Sequence, residues 1–337
     1  MAFRTLSLAA LLALGLGAAG CGGSSASSGR DVAPPEARLS ALNAQDARLA
    51  RVSWRLMRAN ADLCPATLPR AGWALQSAAQ YGPELRPLAE QRFGLRGDLP
   101  GVLTAPDDSP AQRAGLAPGD VILSANDQPM AEGVSQRQES YDGLQANLDR
   151  LDRVVASGPA RLSVGRGDTT RTLTLIPVPA CAYTTQIVIQ RSLRGNVGRG
   201  LIQITTGMAG LARNDDELAF VVAHELAHAV LEHVSGPATP GQRGARTDAL
   251  TLRRGPHATM EADADRLGLY LLARAGYDPA AAVVVLDRYS AQDLFAAWPQ
   301  IDPRGRVYAP SAERRAALAA ALDDIAARRA GNRDLIP

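Results

Sequence analysis

The sequence predicts an α+β protein: a mainly helical domain with a small sheet at residues 179–337, and a mixed α/β domain inserted at residues 85–178. Two observations carry this. From Cys181 onward, two strand-like runs come first and helical patterns follow. Between Pro87 and Pro177, short β-like runs alternate with Gly and Pro around one helical stretch.

The elements follow in order. Arg4 precedes an apolar run from Leu6 to Leu16, too short to span a bilayer comfortably, and small residues Ala18-Ala19-Gly20 lead to Cys21. Residues 1–20 therefore read as a signal peptide. A Cys directly after small residues resembles a bacterial lipobox, although Ala18 stands where Leu is usual. This implies an exported, periplasmic protein held to the outer membrane by a lipid on Cys21. Residues 21–35, rich in Gly, Ser, Ala and Pro, read as a flexible tether. No other stretch is long and apolar enough to be a transmembrane helix, so a lipid is the expected membrane contact. Two cysteines remain, Cys64 and Cys181, and an oxidising compartment permits a disulfide between them.

Residues 36–84 read as a helical segment packed on the main domain, with Leu39, Leu42, Leu49, Val52, Leu56 and Met57 near helical spacing. In the inserted domain, the run Ser109-Pro110-Ala111-Gln112-Arg113-Ala114-Gly115-Leu116-Ala117-Pro118-Gly119-Asp120-Val121-Ile122-Leu123 resembles the PDZ signature. The likeness implies a helix over Tyr141–Leu151 beside a peptide groove. It also implies a carboxylate-binding loop near Phe93-Gly94-Leu95, and peptide C-termini as partners. Cys64 lies before this module and Cys181 just after it, so a bridge would staple its base.

In the last domain, Tyr183–Ile189 and Gly200–Thr206 read as strands. Asn214 can cap a helix, with Glu217 completing a capping box. That helix runs through Leu218, Val222 and Leu226 to Leu231. Ser235 to Thr259 reads as a long loop. Further helices are expected near Met260–Ala275, Pro279–Tyr289 and Ala312–Arg329.

The chemistry sits on the first of these helices. His224 and His228 are four residues apart, so one helical turn sets both imidazoles on one face, in reach of one Zn²⁺. Glu225 stands beside them, placed to touch a metal-bound water without ligating the metal. A hydrolytic zinc site needs a third protein ligand and an open fourth position. Glu261 is the candidate, with Asp265 on the same helical face to hydrogen-bond a ligand His. Asp263 is expected at the surface. His233, five residues past His228, projects about 140° around an unbroken helix and reads as a helix-end residue. His257, in or at the end of the long loop, can approach the metal.

These residues resemble a known family. Gly200 to Gly207, Asn214 to Ala219, His224 to His228, Glu261 to Asp265 with Gly268, and Gly276-Tyr277-Asp278-Pro279 look like the HtpX and CAAX prenyl protease family of zinc metallopeptidases. Periplasmic members with a PDZ domain are the nearest likeness. The resemblance implies a zincin-type peptidase domain, one zinc per chain held by His224, His228 and Glu261, and Glu225 as base. It also implies that the strand near Leu201–Thr206 pairs with substrate backbone. Relatives carry a His-Pro pair and an Arg near the last helix. Here Ala309 replaces that His, and Arg314 or Arg315 takes the Arg position, with Arg315 assigned to the site.

The net charge of +2, with 36 basic residues that are all Arg, shows no field that would gather nucleic acid. The expected function is zinc-dependent endoproteolysis of unfolded or misassembled envelope proteins. The alternative is a PDZ-type peptide-binding adaptor with a non-catalytic metal site, which the intact Glu225 argues against. A zinc hydrolase of non-peptide substrates is a third class.

Overall fold

The structure is a computed structural model that describes residues 33–133, 138–234, 236, 257–291 and 312–337. The expected signal peptide, Cys21, most of the tether, most of the long loop and Ala309 lie outside the described residues. None of the described helices is long and apolar enough to cross a membrane.

Helix α1 (Pro35–Ala59) starts on Pro35, whose missing N–H costs nothing in a first turn. It buries Leu39, Leu49, Val52 and Leu56 almost completely. The chain continues through β1 (Thr67–Arg70), β2 (Ala74–Gln76), α2 (Arg86–Phe93), β3 (Gly101–Thr104), α3 (Pro110–Arg113), β4 (Val121–Ala125), β5 (Gln128–Pro129), α4 (Asp142–Ala156), β6 (Ala160–Arg166) and β7 (Thr169–Leu175). Strands run in the order β2-β3-β4-β6-β7, with β5 paired to β4. Val102, Ile122, Leu151, Leu162 and Val164 fill the core of this unit.

Three features differ from the expected inserted domain. Its sheet takes in β2, which lies N-terminal to the boundary at residue 85 and pairs antiparallel with β3. Its helix α4 runs past Leu151 to Ala156. At Phe93-Gly94-Leu95, expected as a loop alone, Gly94 ends the helix α2 in the left-handed region (φ 66°), and Leu95 is buried with Leu39 and Ala89.

The chain leaves this unit on β8 (Val178–Cys181), which pairs antiparallel with β1, setting Thr67 opposite Cys181 and Arg70 opposite Val178. A Cys64–Cys181 disulfide, with Cα atoms 5.6 Å apart, closes the base of this two-stranded stem. The remaining elements are β9 (Thr184–Val188), β10 (Gly195–Gly198), β11 (Leu201–Thr205), α5 (Thr206–Leu211), α6 (Asp215–Val230), α7 (His257–Arg274), α8 (Ala281–Ala291) and α9 (Ala312–Ala330).

The sheet order β10-β11-β9 overturns one expectation. Strand β11 is the central strand, antiparallel to β10 and parallel to β9, so its backbone hydrogen bonds are already taken on both sides. The strand at Leu201–Thr205 therefore cannot add a substrate strand; among the described residues the edge beside α6 is β10.

Helix α6 is apolar almost all round because α1, α7, α8 and the sheet surround it. Val222, Ala223, Leu226 and Ala227 have no exposed surface. At its start, the Asn214 side chain accepts from the Glu217 N–H at 2.9 Å. The second half of the expected capping box is absent. The Glu217 carboxylate accepts instead from the Arg213 N–H at 2.6 Å and pairs with Arg288 of α8. This contact fastens the entry of α6 to α8 rather than to its own cap.

Candidate metal centre

Helix α6 presents His224, Glu225 and His228, and helix α7 presents Glu261 and Asp265. Gly268 of α7 faces the backbone of α6, where a Cβ would lie 3.4 Å from the His224 nitrogen. His224 Nε2 stands 3.2 Å from His228 Nε2 and 3.3 Å from one Glu261 oxygen, and His228 Nε2 stands 3.4 Å from the other. Among the described residues, these three side chains form the group suited to a metal.

Their spacing tests the fit. Zinc binds nitrogen and oxygen at about 2.0–2.2 Å in a tetrahedron, which sets ligand atoms about 3.3 Å apart. The three observed separations agree with that value. Two imidazoles and one carboxylate also match the donor chemistry of a hydrolytic zinc site, which keeps its fourth position for water or substrate.

The surroundings orient the donors. Asp265, 1% exposed, accepts from His224 Nδ1 at 2.8 Å, which turns Nε2 toward Glu261. Asp265 is in turn paired with Arg314 Nε from α9. Burial works against the Asp265 carboxylate, but His224 and Arg314 hold its pKa below the ordinary range. Burial alone would depress His224, yet its hydrogen bonds to Asp265 and Glu261 hold it up to about 10. Burial also opposes ionised Glu261, and the two imidazoles hold it well below the usual carboxylate range. His228 is lowered, chiefly by burial. The ionised Asp265 and Glu261 carboxylates are thus balanced by His224 and Arg314.

Glu225 makes no part of the triangle. Burial lifts its carboxyl to about 7, with Glu261 adding to the rise and His224 opposing it. Edge strand β10 passes close by. A Cβ on Gly195 would fall 2.5 Å from Glu225 Oε1, so a side chain there would displace the carboxylate from this position.

Arg315, the arginine assigned to the site from sequence, is not in it. It is half exposed and pairs with Asp287 at 2.9 Å, while its neighbour Arg314 reaches Asp265. Successive residues on a helix point about 100° apart, so only one of the two can face α7. Asp263, expected at the surface, is half-buried. His257 opens α7, and its side chain lies outside the described part. His233 comes back to the site, its Nδ1 3.0 Å from His228 Nδ1. Sequence reasoning missed Gly195 as well as His233. A glycine opening a short stretch before a Gly200 turn was the available signal for the first.

Residues 191–239 match Peptidase family M48. That stretch includes His224, Glu225, His228 and His233, and Glu261, Asp265 and Arg314 follow it. Residues 102–147 match the PDZ domain. The chain is similar to the mitochondrial metalloendopeptidase OMA1 of Arabidopsis thaliana, at 35% identity over 105 residues, 26% of this chain. It spans 22% of the length of that relative. The HtrA3 PDZ domain bound to a phage-derived ligand (FGRWV) is 21% identical over 34% of this chain and 88% of that one. The TM-score of that pair is 0.24. The family match and the relative support a metalloendopeptidase, a hydrolase of the M48 type, joined to a PDZ domain.

Proposed function

We propose that the chain is a zinc-dependent endopeptidase that hydrolyses peptide bonds of unfolded or misassembled exported proteins. The observation that carries this is the triangle of His224, His228 and Glu261 with Glu225 beside it and outside it. A purely structural zinc site is normally closed by four protein ligands and needs no base.

His224 Nε2, His228 Nε2 and the Glu261 carboxylate would hold the ion. Zinc, when bound there, supplies a Lewis acid that acidifies water and polarises a carbonyl. Glu225 accepts the proton of the attacking water on its carboxylate and passes it to the leaving amine nitrogen. Asp265, clamped by Arg314, keeps the His224 ring in the orientation that directs Nε2 at the ion. The edge of β10, Gly195–Gly198, unpaired among the described residues, offers backbone donors and acceptors to an extended substrate beside Glu225.

The PDZ domain supplies a second place for an extended peptide, with substrate C-termini as the proposed ligands. The signal-like start, with Cys21 directly after small residues, and the Cys64–Cys181 bridge support a lipid on Cys21 and a periplasmic, outer-membrane-anchored setting, because disulfides persist in oxidising compartments. The likeness to the HtpX and CAAX prenyl protease type is part of this reading.

The test is cleavage of casein, a largely unfolded substrate, by the full chain before and after treatment with a chelator. Cleavage is expected to stop on chelation and return when one equivalent of zinc is added. Cleavage that persists in metal-free protein contradicts the proposal.

A further inference from the structure

We infer that His233 is a positioning residue for the metal ligand His228. The inference rests on the zinc reading above and adds a residue that this reading does not use.

The two ligand imidazoles need the same help. Each would offer Nε2 to the ion, so each must carry its proton on Nδ1 and needs an acceptor there. For His224 the acceptor is Asp265. For His228 the described neighbour at Nδ1 is His233, nitrogen to nitrogen at 3.0 Å. The rings meet edge-on, with centroids 5.2 Å apart and planes at 61°, so the contact is between nitrogens rather than a stack. His233 Nδ1 then accepts from His228 Nδ1–H, and His233 carries its own proton on Nε2.

The backbone explains how a residue five positions on reaches this place. On a continuous helix His233 would point away. Helix α6 does not continue. The Glu232 N–H donates to the Ala229 carbonyl at 3.1 Å and the His233 N–H to the His228 carbonyl at 2.8 Å, the paired bonds of a Schellman ending. Glu232 sits at φ 55°, in the left-handed region where such endings usually place glycine. This reversal folds His233 back over the last turn and onto His228. The sequence thus accepts a disfavoured backbone at Glu232 while the residue after it lands on a ligand.

The experiment measures zinc affinity of the full chain by competition with a chromophoric chelator, together with the melting temperature of the metal-free protein. His233→Phe keeps the ring and removes the acceptor; His233→Asn keeps an acceptor near the Nδ1 position. The Phe variant is expected to lose about 10–100-fold in zinc affinity, the usual effect of removing an orienting partner. The Asn variant is expected to bind close to wild type, and all three metal-free proteins to melt alike. If Phe does not fold, His233→Leu is read in its place. Unchanged affinity in the Phe or Leu variant overturns the inference. Equal losses in the Phe and Asn variants, with lower metal-free melting in both, also overturn it, since that is the signature of packing alone. Wild-type protein that fails to bind zinc would instead overturn the metal reading itself.

Discussion

Glu225→Gln is expected to abolish cleavage while zinc stays bound. The change replaces one carboxylate oxygen by an amide nitrogen of nearly the same size, so the space beside Gly195 remains filled in the same way. The ligand triangle does not include Glu225, so the donor set is unchanged. What is lost is the ability to take a proton from water, and general-base catalysis contributes about 10²–10⁴-fold. The pH profile adds a second readout. In the metal-free protein, burial places the Glu225 carboxyl at about 7, and a cation nearby would favour the ionised form and lower it. The acid limb of kcat/KM is therefore expected at or below neutral pH, rising as the carboxylate forms. Casein cleavage, metal content and the pH profile, measured on wild type and variant, check the three parts. Equal cleavage by both proteins would remove Glu225 from the chemistry.

The second large effect concerns stability. Removing the Cys64–Cys181 bridge by the double change Cys64→Ala and Cys181→Ala is expected to cost about 3–5 kcal/mol, because a loop of about 100 residues loses that much closure entropy when crosslinked. The bridge joins positions 117 residues apart, and both cysteines are almost completely buried. The ladder between β1 and β8 already brings the two ends together in the folded state. The effect therefore falls mainly on the unfolded chain, which regains the freedom of the whole inserted domain. Denaturant unfolding of the oxidised protein and the double variant measures it. A loss under about 1 kcal/mol would show that the bridge does little to constrain the unfolded chain.

The parts of the site that were legible in the sequence are those fixed by helix periodicity. His224 and His228 share a face of α6 at four-residue spacing, and Glu261 and Asp265 do the same on α7. Asn214 marks the start of α6 by its own side chain. The less legible parts depend on tertiary packing. Choosing between Arg314 and Arg315 requires knowing how α9 is rotated against α7, and two adjacent residues carry no signal for that. Strand β10, Gly-Asn-Val-Gly, has little strand character of its own and exists because β11 pairs with it. Strand β2 is only three residues long and belongs to its sheet through β3. The Phe93-Gly94-Leu95 stretch reads as a groove loop from its place ahead of the PDZ signature, and its glycine ends helix α2. His233 is the helix-end residue the sequence indicates, but its return onto His228 was not legible, because Glu232 rather than glycine occupies the reversing position and the end of α6 carries no usual mark.

The central claim is that one metal ion sits among His224, His228 and Glu261, with Glu225 outside its coordination. Anomalous diffraction at the zinc edge, from crystals of gently purified protein, tests it directly. The expected result is a single peak per chain, bonded to Nε2 of both histidines and to the Glu261 carboxylate. A map without a peak there, or one in which Glu225 ligates the ion in place of Glu261, would contradict it.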